Sequence, residues 1–142
     1  MGASPLHLLA EQGQSVWVDS LSRELIEGGE LARLVREDAV TGVTSNPSIF
    51  QKELLVVGAT GGAYDEQLRA LPAGIGAKEA FVALAVKDIQ DSCDLLAPVH
   101  ERTGGADGFV SLEVDPTFAY DTEATFAEAA RLAKEVARPN LL

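Results

Sequence analysis

The stretch that most constrains the fold is residues 40–50, V-T-G-V-T-S-N-P-S-I-F, because it changes from a strand into a helix. Its first half favours extended backbone, since Val40, Thr41, Val43 and Thr44 are all branched at Cβ. Pro47 pushes the preceding Asn46 toward extended backbone and suits the first position of a helix. The stretch therefore predicts a strand that ends at residues 44–46 and a helix that begins at Pro47.

Three polar side chains, Thr44, Ser45 and Asn46, follow this strand where it ends. In α/β folds the carboxyl ends of the strands carry the chemistry, so these side chains are candidate ligand contacts. A structural interpretation is equally open, because Ser45 or Asn46 could simply cap the following helix. This stretch alone does not choose between the two.

Apolar runs and amphipathic stretches alternate along the rest of the chain. Strands are predicted at 16–20, 40–44 and 109–115, and a fourth apolar segment starts at Leu141. Such alternation is typical of a parallel sheet with right-handed crossovers, either a doubly wound sheet or a β/α barrel. No G-x-G-x-x-G follows the first strand and no G-x-x-x-x-G-K-[ST] occurs, which disfavours a nucleotide-binding sheet. We therefore predict the α/β class, with residues 1–142 as the first half of a TIM-type β/α barrel, three βα units plus the start of strand four.

Helices are predicted between the strands from apolar spacing and from glycine and proline positions. The ranges are 4–13, a helix that Ser20 caps and that Gly28-Gly29 interrupts, 47–55, 64–71, 77–102 and a last helix that Asp121 or Thr122 caps. A glycine-rich loop is expected at 58–62. The apolar stripe of the longest helix includes Cys93, which we interpret as a core residue rather than a nucleophile. The last helix should bury Phe126, Ala130, Ala133 and Val136.

Composition excludes several classes of partner. The 142 residues carry 22 acidic and 11 basic side chains, a net charge of −11, which repels nucleic acid and anionic lipid. No apolar run is long enough to cross a bilayer, and the N-terminus does not resemble a secretory signal. Cys93 is the one cysteine, which suits a reducing cytoplasm, and His7 and His100 lie too far apart to suggest a metal cluster.

Each of the three predicted strands carries a polar group at or near its end: Asp19, Asn46 and Glu113. In the third strand, period-two alternation should pack Val110, Leu112 and Val114 under the helices and turn Glu113 toward a barrel interior. There the carboxylate would lose solvation and need a partner or a proton. Singly, each residue has a structural explanation. Together, polar groups at three successive strand ends favour an active site on one rim.

Five segments also resemble a known family, the bacterial transaldolases, over the part of the family's sequence nearest the N-terminus. They are V-W-V-D-S-L-S-R-E-L-I, G-V-T-S-N-P-S-I-F-Q-K, D-I-Q-D-S-C-D, V-S-L-E-V-D-P and R-P-N-L-L. The resemblance runs from about Leu6 to Leu142. The T-S-N-P-S and S-L-E-V-D blocks are its most specific parts.

The resemblance implies a Schiff-base enzyme of the pentose phosphate pathway, built on a β/α barrel and needing no metal or organic cofactor. Such an enzyme moves a dihydroxyacetone unit from sedoheptulose 7-phosphate to glyceraldehyde 3-phosphate. By matching position, Asp19 would handle the hydroxyl proton during C–C cleavage. Asn46 would bind substrate hydroxyls, with Thr44 and Ser45 as further substrate-binding residues. Glu113 would act through a water in carbinolamine formation and dehydration.

One departure from the family pattern concerns the nucleophile. The family's Schiff-base lysine lies on strand four, beyond a segment like residues 139–142, and this sequence does not include it. We place the four lysines that are present, Lys52, Lys78, Lys87 and Lys134, on helices. Schiff-base chemistry needs an amine beside the acid/base groups, so the 142-residue chain is expected to be inactive alone.

Two alternatives stay open at this point. The chain could be a non-catalytic half-barrel that self-associates, since strand one and the strand-four segment would be exposed sheet edges. The chain could also be the start of a bifunctional transaldolase and sugar-phosphate isomerase.

Overall fold

A computed structural model describes residues 4–46, 48, 50 and 64–142. The helices are α1 (Pro5–Glu11), α2 (Arg23–Glu27), α3 (Glu30–Glu37), α4 (Asp65–Ala70), α5 (Ala77–Arg102) and α6 (Thr122–Val136), with a 3₁₀ helix at Pro116–Phe118. The strands are β1 (Val16–Val18) and β2 (Val40–Val43). The predicted helix at 47–55, apart from Ser48 and Phe50, and the predicted loop at 58–62 lie outside the described residues.

Helix boundaries follow local sequence. The hydroxyl of Ser22 accepts a hydrogen bond of 3.1 Å from the Leu25 amide, so Ser22 caps α2 in place of the predicted Ser20. Gly29 separates α2 from α3 with a φ of +80°, a left-handed conformation that glycine adopts without strain. Asp121 caps α6 through the Ala124 amide, as one of the two predicted alternatives.

The sheet is small and parallel. Strands β1 and β2 pair with Val18 opposite Val43. Val110 then bridges Val43 on one side and Leu141 on the other, both in parallel. The ladder bonds include Val43 N to Phe109 O at 3.1 Å and Leu142 N to Val110 O at 2.9 Å. The spatial order is therefore β1, β2, the segment around Val110 and the segment around Leu141.

The predicted third strand at 109–115 is wrong in its length, because the described structure has only a one-residue bridge there, at Val110. The physical reason lies at Asp115. Its carboxylate accepts a hydrogen bond of 2.8 Å from the Thr117 amide and caps the 3₁₀ helix, so the chain turns away from the sheet. The described residues form a mixed α/β structure with a small parallel sheet, and the half-barrel is a prediction that goes beyond it.

Helix α5 forms the centre of the core with its predicted apolar stripe, and its observed bounds match the predicted 77–102. Cys93 is fully buried in this core, as predicted. Helix α6 differs from its prediction, because Phe126 is 72% exposed and Ala130 and Ala133 also face solvent. Val136 is buried as predicted, and Leu132 is buried with it, an i, i+4 pair that places one narrow stripe against the core.

A buried ion pair joins α2 to α5. The Arg23 guanidinium donates to Asp88 Oδ1 from Nε at 2.8 Å and from Nη2 at 2.6 Å. The Tyr64 hydroxyl donates to Asp88 Oδ2 at 2.6 Å, and the Tyr64 ring lies 4.3 Å from the Arg23 guanidinium carbon. Asp88 has no exposed surface, so this network satisfies a charge that would otherwise be costly to bury.

Within the described ranges, no helix has the length and apolar character that crossing a membrane requires.

Candidate active site

The first two predicted site strands are joined at their carboxyl ends by Thr44. The Thr44 amide donates to Val18 O at 2.9 Å, which continues the ladder one residue beyond β2. The Thr44 hydroxyl donates to Asp19 Oδ1 at 2.6 Å, a short bond typical of a hydroxyl on a carboxylate. The structure thus brings together two of the predicted site residues, one from each strand end.

Ser45 bonds to the segment around Val110, which lies on the other side of β2 from β1. Its amide donates to Ser111 Oγ at 3.2 Å, and its hydroxyl donates to the Ser111 carbonyl at 2.6 Å. Ser45 is only 1% exposed, so its hydroxyl is engaged inside the protein in this structure. The predicted contact between Ser45 and substrate stays a prediction.

Asn46 is the next residue and is partly buried. Its carbonyl accepts a hydrogen bond of 3.4 Å from the amide of Phe50, and the described residues Ser48 and Phe50 are helical. The choice between a helix cap and a ligand contact depends partly on Pro47, which lies outside the described residues. The role of Asn46 therefore stays a prediction.

Glu113 is exposed, so the expectation that its carboxylate loses solvation is wrong for this structure. The reason is that the described strands form an open sheet with no closed barrel around the carboxylate. Glu113 borders an apolar cavity of about 160 Å³ between α5, α6 and residues 112–116. Lys78, Asp115 and Glu128 supply the other charged groups of that cavity's lining.

The described lysines all lie on helices, as predicted, while Lys52 lies outside the described residues. Lys78 pairs with Asp115 at 2.8 Å, and this hydrogen bond raises the pKa of the Lys78 amine. A Schiff-base nucleophile needs the opposite shift, toward the neutral amine. Lys87 pairs with Asp91 one turn along α5, and Lys134 lies in the last turn of α6.

The opposite rim of the sheet holds a polar cluster that sequence reasoning missed. The Trp17 indole donates to Asp107 Oδ1 at 3.2 Å, and the Gly108 amide donates to the same oxygen at 2.9 Å. Burial acts to raise the pKa of Asp107, but hydrogen bonds from Ser15, Thr41 and these two groups lower it overall. The cluster joins the amino ends of the strands, where barrel proteins place stability rather than chemistry.

No group of three His, Cys, Asp or Glu side chains comes together as a possible metal site in the part of the chain that the structure describes. The candidate site thus offers a hydrogen-bonded carboxylate at Asp19, an amide at Asn46 and a solvated carboxylate at Glu113. Such groups can bind hydroxyls and transfer protons.

Comparison with known proteins identifies the group of proteins to which this site belongs. The family model described as Transaldolase/Fructose-6-phosphate aldolase matches residues 16–142. The transaldolase of Thiobacillus denitrificans is 51% identical over 131 residues, which cover 92% of this chain and 35% of that protein. The transaldolases of a Parafrankia species and of Thermobifida fusca are each 49% identical over 140 residues, covering 98% of this chain and 37% of theirs.

The chain therefore spans little more than a third of the length of these relatives. The match of the family model over residues 16–142 includes all three strand ends that carry the candidate site. The chain belongs to the transaldolase/fructose-6-phosphate aldolase family.

Proposed function

We propose that this chain supplies the proton-transfer and hydroxyl-binding part of a transaldolase active site. The reaction moves a dihydroxyacetone unit from sedoheptulose 7-phosphate to glyceraldehyde 3-phosphate through a lysine Schiff base. The hydrogen bond of 2.6 Å between Thr44 and Asp19 carries the proposal, because it fixes a carboxylate at a strand end where a substrate hydroxyl can reach it.

The proposed roles follow the chemistry of each side chain. Asp19 takes the hydroxyl proton as the C–C bond breaks. Asn46 binds substrate hydroxyls, with Thr44 and Ser45 beside it. Glu113 transfers protons through a water during carbinolamine formation and dehydration, for which an exposed carboxylate has the necessary contact with solvent.

The fold proposed for this function is the first half of a β/α barrel. Its support is the parallel order of β1, β2, Val110 and Leu141, because each neighbour in space is also the next in sequence. A single-wound barrel has this order, whereas a doubly wound sheet reverses direction at a switch point. The cytoplasm is the compartment that a pentose phosphate enzyme with one buried free thiol would occupy.

We expect that the 142-residue chain alone does not form a Schiff base. The described lysines lie on helices, and Lys78 is held in its charged form by Asp115. The test is incubation with fructose 6-phosphate and borohydride, followed by intact-mass measurement. Unmodified mass is the expected result, and a covalent three-carbon adduct on this chain would contradict it.

Catalysis is tested by a fusion protein in which residues 1–142 replace the matching part of the Thiobacillus denitrificans transaldolase. The two sequences are 51% identical over 131 residues, so we expect the fusion protein to fold. We expect transaldolase activity, and Asp19→Asn and Glu113→Gln should each lower kcat by about a hundredfold or more. A folded fusion protein without activity, or with activity insensitive to both substitutions, rules out the proposed function.

A second candidate function is a non-catalytic half-barrel that associates with a copy of itself. The observation that favours it is that, within the described ranges, β1 pairs only with β2 and Leu141 pairs only with Val110. Open sheet edges are templates for pairing with another chain. Size-exclusion chromatography with light scattering distinguishes the two, because a stable monomer at high concentration contradicts self-association.

A further inference from the structure

Beside the candidate site, the hydrogen bonds between β2 and the Val110 segment change from backbone–backbone bonds to bonds that involve side chains. Val43 makes regular ladder bonds, accepting from the Ser111 amide at 3.0 Å and donating to the Phe109 carbonyl at 3.1 Å. If the parallel ladder continued, the Ser45 amide would donate to the Ser111 carbonyl. In this structure two side-chain hydroxyls replace that single bond.

The replacement is reciprocal. The Ser45 amide donates to the Ser111 hydroxyl, and the Ser45 hydroxyl donates to the Ser111 carbonyl at 2.6 Å. Two hydrogen bonds between the same two residues restrict both the separation and the relative rotation of the chain segments. Because Ser45 is 1% exposed, water competes little for these bonds.

The position of this pair gives it a consequence for the site. Ser45 directly precedes Asn46, and Ser111 lies two residues before Glu113. The chain leaves the sheet soon after Leu112, so no further ladder bond of the described structure holds Glu113 in register. The serine pair therefore links the second and third strand ends directly beside the candidate groups.

We propose that Ser111 is a positioning residue, which acts with Ser45 to hold Asn46 and Glu113 at a fixed separation for catalysis. This inference rests on the proposed function and assigns Ser111 no contact with substrate. Two adjacent residues then link the second strand end to both of its neighbours. Thr44 bonds to Asp19 at the end of β1, and Ser45 bonds to Ser111 in the Val110 segment. Together the two links determine the spacing of all three candidate groups.

The test uses the active fusion protein and three variants. Ser111→Ala removes the hydroxyl that accepts from Ser45, while Ser111→Thr keeps a hydroxyl. Ser92→Ala is the control, because Ser92 is fully buried, as Ser45 is, and its hydroxyl donates to the Asp88 carbonyl at 2.8 Å inside α5. Melting temperature, kcat and KM are measured for each variant.

We expect Ser111→Ala to lower kcat about tenfold to a hundredfold with little change in KM, because misplaced groups lose rate rather than affinity. Ser111→Thr should recover most of kcat. Ser92→Ala should lower the melting temperature without lowering the kcat of the folded enzyme. A merely structural role for Ser111 would make Ser111→Ala behave like this control.

The outcomes separate the two proposals. An active fusion protein whose folded Ser111→Ala variant keeps kcat within about twofold overturns the positioning role alone. A folded but inactive fusion protein overturns the proposed function and the positioning role with it. If Ser111→Ala does not fold, Ser45→Ala tests the same pair, and an unchanged kcat in that variant overturns the proposal.

Discussion

The Thr44 hydroxyl donates a hydrogen bond of 2.6 Å to the Asp19 carboxylate, and the Thr44 amide donates to the carbonyl of the preceding Val18. Thr44 thus binds both the backbone and a side chain at the end of β1, the neighbouring strand. The bond is charge-assisted, a class of hydrogen bond roughly twice as strong as neutral ones. This bond therefore fixes the orientation of the Asp19 carboxylate.

Replacing Thr44 with valine should lower kcat/KM of the fusion protein by about tenfold, because valine keeps the shape but loses the donor to Asp19. Thr44→Ser should retain most of the activity. Thr41→Val is the matched control, since Thr41 also interacts with an aspartate, Asp107, but at the opposite end of β2. Steady-state kinetics measure kcat/KM for each variant. Equal losses of kcat/KM in the Thr44→Val and Thr41→Val variants would contradict a role for Thr44 in the site.

Asp88→Ala should lower the free energy of unfolding of the 142-residue chain by about 3–5 kcal/mol, because it leaves the Arg23 guanidinium buried without its carboxylate. Asp94 provides the control on the same helix. Asp94 makes a bidentate pair with Arg138 at 2.6 and 2.9 Å, but both side chains are solvent-accessible. Solvent and salt screen that pair, so Asp94→Ala should change stability much less. Urea unfolding followed by circular dichroism measures both variants, and similar losses would show that burial is not the deciding factor.

Gly42→Ala should destabilise the chain by about 2 kcal/mol or more, because a Cβ at Gly42 would overlap the Trp17 indole ring. Trp17 is the one tryptophan, so its fluorescence emission reports the displacement directly. Gly76→Ala is the control, because a Cβ there meets only the mobile carboxylate of Glu79. Gly76 is the N-cap of α5, where glycine is preferred to alanine, so that variant should cost about 1 kcal/mol or less. Unchanged emission and stability in Gly42→Ala would show that the indole does not pack on β2 as described.

Alkaline pH should destabilise the chain in part through Cys93. Burial raises the pKa of this thiol from 9.0 to about 12, so the folded state disfavours the thiolate. The unfolded thiol ionises first, and the stabilisation that is complete below pH 9 is lost as the pH rises toward 12. The stability difference between the natural chain and Cys93→Ala should therefore shrink by about 1 kcal/mol from pH 8 to pH 10. A difference independent of pH would mean that the thiol is not held in an apolar environment.

Local physical chemistry made several elements predictable from sequence. The bounds of α5 follow from its apolar stripe and the glycine that precedes it, and the break at Gly29 follows from a backbone conformation that glycine favours. The positions of Asp19 and Thr44 at two strand ends follow in the same way, because each comes directly after a run of residues that favour extended backbone. These features depend on neighbours a few residues away, which periodicity and capping rules describe well.

Features that depend on distant partners were predicted poorly. The third strand was expected to continue to Asp115, but its length was limited by a capping bond and by the partners available on either side of Val110. Phe126 lies on an apolar face of α6 that the described core does not cover. Periodicity indicates which face of a helix is apolar, but the neighbouring elements decide whether that face is buried.

The sequence by itself determined the order of strands and helices, the polar side chains at the strand ends and membership of the family. The tertiary structure alone decided which of those side chains meet. Ser45 and Ser111 are 66 residues apart in sequence, Arg23 and Asp88 are 65 apart, and Trp17 and Asp107 are 90 apart. Such pairs form because a parallel sheet brings the same ends of successive strands side by side, and no local pattern in the sequence specifies which groups on those ends will bond.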